Sequence, residues 1–234
     1  MINKFIYPPI LVGLITGLII SIISIFILYP IIHEAELIES ALNTQIDHHI
    51  DTSEHLNAHS HEDAKNDDTL NYFQNRNFIT VFVNICVTAG YAFIIIGLTN
   101  LLKININFKN SILIGLVGFL CFYLLPSIAL IPQLPGTEYS LALEYRQIIW
   151  LSIVSLSLIS FVITYIIPKI FFKFFGILLV VLPLTLILIL NDQIPMEVNN
   201  DLHYKFIYYT FLSNLIMWFI MAVTINYVLN RKSS

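Results

Sequence analysis

The chain contains long apolar runs with no charge inside them. Residues 5–32, 78–102, 111–131, 148–167 and 206–229 hold no Asp, Glu, Lys or Arg, and a further run, 170–190, is interrupted only by Lys173. Each is near or above the ~20 residues a helix needs to cross a bilayer. In lipid every backbone polar group must be satisfied within the protein, so runs of this kind fold as helices. The pattern predicts an all-α, polytopic integral membrane bundle. Its six transmembrane helices fall at about 8–32, 78–102, 111–131, 148–167, 170–190 and 206–229. All belong to a single transmembrane domain covering 1–234.

Composition agrees. Only 11% of the 234 residues are charged and 57% are hydrophobic, against about 25% charged in an average soluble domain. There are too few charges to cover a water-facing surface. A net charge of −4 gives no support for a nucleic-acid partner. No glycine-rich G-x-x-x-x-G-K-[ST] loop is present, so the chain has no ATP site of that kind. No H-E-x-x-H, intraspan serine–histidine pair or paired intramembrane acid appears either, and the chain is not expected to be an enzyme. Cys86 and Cys121 both lie inside apolar runs and read as small buried packing residues. The first run is far longer than a signal-peptide core and is read as a retained first helix. Pro8 and Pro9 sit at its start, where a missing N–H costs nothing. Pro168 breaks the chain between the fourth and fifth spans.

The connecting segments sort by charge. Lys4, the 103–110 loop (Lys103, Lys109), the 168–173 turn (Lys169, Lys173) and the C-terminus (Arg231, Lys232) hold seven basic residues and no acid. The 33–77, 132–147 and 191–205 loops hold all 15 acids, with Lys65, Arg76, Arg146 and Lys205. The positive-inside rule places the first set in the cytoplasm. Both termini are then cytoplasmic. Loop 33–77 then lies on the periplasmic or extracellular side; the setting expected for the chain is a bacterial inner membrane.

That loop concentrates metal-type ligands. His48, His49, His55, His59 and His61 lie among Asp47, Asp51, Glu54, Glu62 and Asp63. Imidazole with carboxylate suits borderline divalent ions such as cobalt, nickel and zinc. The spacing is irregular, so a rigid structural zinc site is not indicated. A loose cation collector without a fixed fold is the reading, against a plain solvated acidic loop. Upstream, HEAELIESAL continues the first helix. His33 and Glu36, at i and i+3, share a face there and form a candidate entry site, or simply a polar helix end.

Polar residues inside the spans are few, and each is a functional suspect. Asn84 and Thr88 share a face of the second helix, and Asn214 lies in the sixth. With Gln147 they form a candidate translocation path; interhelical hydrogen bonding is the alternative. Arg146 is a candidate structural brace, paired with Glu144 or Glu138.

Read in order, the chain also carries a set of motifs. They are Pro30-Ile-Ile-His-Glu-Ala-Glu36, His59-Ser-His61, GFLCFYLLP (118–126), LPGTEYSLALEYRQIIW (134–150) and SNLIMW (213–218). In order and spacing, over nearly the whole length, these resemble the CbtA family of predicted cobalt transporter subunits. The sequence departs from that pattern at Gln133, where an acid often stands, at Ile149, often tryptophan, and at Leu184, often histidine. The resemblance implies uptake of cobalt(2+) for cobalamin synthesis, with no permanently bound cofactor. It also implies a small single-span, histidine-bearing partner subunit beside the lipid bilayer. Nickel or zinc transport by the same scheme, and a membrane metal sensor or assembly subunit that transports nothing, are the alternatives.

Overall fold

The computed structural model describes residues 2–50, 65–135, 137, 141–167, 169–171, 174, 176–181, 185 and 200–230. Helix accounts for nearly all of them, and no strand occurs among them. In chain order they form α1 (Ile2–Ile23), a π-helical segment (Ser24–Leu28), α2 (Tyr29–Ile50), α3 (Lys65–Leu101) and α4 (Phe108–Phe119). A second π-helical segment (Leu120–Leu124), α5 (Leu125–Ala129), α6 (Leu143–Ile166) and α7 (Asn200–Asn230) follow.

Five helical stretches among the described residues are long and apolar enough to cross a membrane. They are Ile6–Ala41, Arg76–Leu101, Phe108–Ala129, Leu143–Ile166 and Asp201–Asn230. Each contains or overlaps one of the expected spans. The sixth, 170–190, falls largely outside the described residues. Within it Ile170, Phe171, Phe174, Gly176–Val181 and Thr185 are helical. Ser160 Oγ of α6 donates to the Gly176 carbonyl at 2.7 Å, so this piece lies against α6.

Two boundaries differ from the sequence reading. First, α1 begins at Ile2, so Pro8 and Pro9 are inside the helix, where both are fully buried. The carbonyls they fail to pair, on Lys4 and Phe5, belong to the first helical turns. Second, beyond HEAELIESAL, where the sequence reading expects no fixed fold, helix continues: α2 runs on to Ile50 and α3 starts at Lys65. Nothing in the sequence stops these helices, since 31–77 contains neither glycine nor proline. The 37 residues of α3 span about 56 Å, well beyond a ~30 Å hydrocarbon layer.

The seam between α1 and α3 is built on small residues. A Cβ at Gly17 would sit 2.6 Å from Ile85 Cα, and one at Gly13 would fall onto the Ala89 backbone. Gly13, Gly17 and Ser21 repeat every four residues, the small-xxx-small spacing that lets membrane helices touch backbone to backbone. Hydrogen bonds then cross the seam. Thr88 Oγ1 donates to the Gly13 carbonyl at 2.8 Å, and Asn84 Nδ2 to Ser21 Oγ at 3.2 Å.

A second contact joins α4 to α7. The Trp218 indole lies directly on Gly118, where any Cβ would collide with the ring. Tyr91 and Phe122 stack on the same indole with centroids 5.3 and 5.6 Å away. Trp218, Met217 and Met221 are buried there. Cys121 is buried as expected; Cys86 is instead exposed on α3.

Both π-helical segments precede a proline, in the matching stretches Phe26-Ile-Leu-Tyr-Pro30 and Phe122-Tyr-Leu-Leu-Pro126. A proline ring clashes with the carbonyl four residues back and offers it no N–H. One widened turn just before the proline relieves that clash. Tyr29 N–H accordingly bonds the Ser24 carbonyl, and Leu125 N–H bonds that of Leu120, each five residues back.

Candidate site at the acid-rich end of the bundle

Beyond the apolar part of the first span, α2 presents Tyr29, His33 and Glu36 at i, i+4 and i+7, one face of a helix. Ala35, on another face, packs with Leu134 and Leu202 in an apolar floor completed by Ile31, Ile32, Ile38 and Phe206. Leu134 belongs to the Leu-Pro-Gly turn, which Thr137 closes by donating its Oγ1 to the Leu134 carbonyl. Leu202 comes from the first turns of α7. The floor therefore gathers α2, the Leu-Pro-Gly turn and α7 beneath the polar face.

On that face the rings of Tyr29 and His33 are nearly parallel, 8° apart, with centroids separated by 6.0 Å. His33 Nδ1 lies 3.9 Å from Glu36 Oε2. Both side chains are open to solvent, at 39% and 35% of full exposure. The expected i, i+3 pair is thus formed.

A third partner arrives from α3. Arg76 Nη1 donates to Glu36 Oε2 and Nη2 to Glu36 Oε1, both at 2.8 Å. This is the two-pronged guanidinium–carboxylate contact, stronger and more directional than a lysine pair. The same guanidinium sits over the Tyr29 ring, with Cζ 4.8 Å from its centroid. Hydrogen bonding to Arg76 holds the Glu36 carboxyl below its usual range, against the opposing effect of partial burial.

Other candidates fall elsewhere. Thr88 is fully buried, its hydroxyl within donor reach of the Gly13 carbonyl across the seam at 2.8 Å and of the Asn84 carbonyl of its own helix at 2.7 Å, and Asn84 Nδ2 donates to Ser21 Oγ on the seam. Asn214 Nδ2 donates to the Thr210 carbonyl of its own helix at 2.9 Å. Gln147 and Glu144 are exposed and Arg146 half-buried in the first turns of α6; Glu138 lies outside the described residues. His48 and His49 lie in the last turn of α2. His55, His59 and His61 lie outside the described residues. Among those described, no three His, Cys, Asp or Glu side chains are grouped so as to hold an ion.

Two polar atoms near the floor were not singled out by the sequence. His203 Nδ1 and Gln133 Oε1 are buried without a hydrogen-bond partner among the described residues. Their sequence neighbours Leu202 and Leu134 meet in the floor. The cavity between α3, α4 and α6, about 40 Å³, is lined by Ile95, Leu98, Phe122 and Leu158. Thr99, the one polar side chain in its lining among the described residues, already donates to its own helix at 3.0 Å. The rest of the lining is apolar.

Long apolar helices joined by small-residue seams define a multi-pass α-helical membrane protein. Residues 2–230 match the family model described as probable cobalt transporter subunit (CbtA), and the chain belongs to that family. No curated protein and no solved structure matches it significantly.

Proposed function

We propose that this chain is the membrane-spanning subunit through which divalent cobalt is taken up, with His33 and Glu36 as the first defined ligands at its mouth. The observation that carries the reading is their geometry. An imidazole nitrogen and a carboxylate oxygen 3.9 Å apart stand at the end of the first span. Two metal–ligand bonds of about 2.1 Å each can bridge that gap. Nitrogen with oxygen is a donor set for borderline metals. Water or a partner subunit completes the coordination.

The charge asymmetry supports six spans with both termini in the cytoplasm, in the inner membrane of a bacterium. The acid-rich end then faces outward. His48, His49, His55, His59 and His61 collect ions above the mouth. Arg146 braces the Leu-Pro-Gly side of the vestibule through Glu138 or Glu144. Of the polar groups within the spans, Gln147 and Asn214 line the path; Asn84 and Thr88 hold the helices together. The partner is a small single-span, histidine-bearing subunit, and the cobalt serves cobalamin synthesis.

The test is accumulation of labelled cobalt, nickel and zinc by cells with and without the chain and its partner subunit. Cobalt-selective uptake that falls when the five collecting histidines become alanine supports the scheme. Equal uptake with and without the chain overturns it.

A further inference from the structure

We infer that Arg76 is a selectivity residue for this mouth: it holds Glu36 against ions that need oxygen ligands only, and yields it to an ion that can also take His33. The inference rests on the proposed role of His33 and Glu36.

Both oxygens of Glu36 are already occupied, each by an Arg76 Nη at 2.8 Å. A cation seated between Glu36 Oε2 and His33 Nδ1 must compete with the Nη1 bond on Oε2 and with the guanidinium charge beside it. Magnesium, calcium and the alkali ions are hard and bind through oxygen, so at this site they gain one carboxylate and nothing from an imidazole. They exchange one cation on Glu36 for another. A borderline divalent metal gains the His33 nitrogen as well. His33 Nδ1 is already 3.9 Å from Glu36 Oε2, so little movement is required.

Displacement does not strand the guanidinium. Arg76 Cζ lies 4.8 Å from the Tyr29 ring centroid, a cation–π contact that survives loss of Glu36. Tyr29 in turn stacks on His33, which keeps the imidazole beside the carboxylate. One aromatic ring thus supports both the residue that leaves and the ligand that stays.

The experiment is cobalt binding to the purified full chain in detergent, by calorimetry with cobalt(II) chloride, with and without millimolar magnesium chloride. Wild-type affinity should hardly respond to magnesium. R76Q should bind cobalt about fivefold more tightly without magnesium, the scale of one partly exposed ion pair, and lose that gain when magnesium is added. R76K keeps the charge but not the two-pronged contact, and should show the same trend; it serves if R76Q does not fold. A purely structural Arg76 would lower the melting temperature on substitution and leave the response to magnesium unchanged, which overturns the inference while cobalt uptake stands. Absence of both binding and uptake in the wild-type chain removes the proposed function, and the inference with it.

Discussion

Arg76 and Glu36, 40 residues apart in sequence, are joined by two parallel hydrogen bonds of 2.8 Å. This contact ties α2 to α3 and occupies the carboxylate that the proposed cargo would use. In the proposed function, this pair keeps the mouth charge-neutral until a competing cation arrives.

The pair should stabilise the protein modestly and in a pH-dependent way. Glu36 is about a third exposed, so solvent screening keeps the interaction below about 1 kcal/mol. Its folded-state pKa lies below the ordinary value, so the unfolded chain binds more protons at acidic pH. The stabilisation is complete above the ordinary carboxylate range and is lost as pH falls through the folded value. E36Q should abolish that acid-side loss in thermal melts recorded across pH. A pH profile identical to wild type would show that the pair is not formed.

The α1–α3 seam should tolerate no added methyl at its glycines. G13A and G17A each push a Cβ into the facing backbone. Overpacking of this kind costs about 1–3 kcal/mol. Gly90 and Gly97 on α3 are exposed, with nothing within 4 Å of a built Cβ. G90A and G97A should therefore be neutral or slightly stabilising, since alanine is the better helix former. Melting temperatures in detergent separate the two sets.

Thr88 should act through its hydroxyl at the seam. T88S keeps the donor to the Gly13 carbonyl; T88V removes it and should cost roughly 0.6 kcal/mol, typical of a hydrogen bond between membrane helices. Metal uptake by T88V, normalised to protein level, should match wild type. A specific transport defect would return Thr88 to the path.

Trp218 should be the least replaceable side chain of α7. It is buried and flat against Gly118, with Tyr91 and Phe122 stacked on it. W218A leaves a cavity worth about 3–5 kcal/mol, and G118A drives a methyl into the ring. Both should abolish monodisperse protein on size-exclusion chromatography, whereas W218F should be partly tolerated.

The positions of five spans were legible because hydrocarbon thickness imposes a length on any helix that crosses it, and uncharged runs report that length directly. Glu36 and His33 were legible because i, i+3 spacing within one helix is a local fact. Arg76 was not tied to Glu36, since the register between two helices depends on what lies in their seam. That register is set by Gly13, Gly17 and Ser21, whose four-residue repeat is visible in the sequence but passes as ordinary membrane composition. The continuation of α2 to Ile50 was only half visible. HEAELIESAL reads as helix, but the acids and histidines beyond it look like loop by composition, and only the lack of glycine and proline argued otherwise. The widened turns before Pro30 and Pro126 had a signal too, the shared Phe-x-Leu-x-Pro stretch.

The most direct measurement is uptake of labelled cobalt by cells expressing the chain with its partner subunit, comparing wild type, H33A, E36Q and G90A at equal membrane abundance. Wild type and G90A should accumulate cobalt above the empty-vector background, and H33A and E36Q should fall to it. Uptake by H33A and E36Q equal to wild type would contradict a mouth built on these two residues.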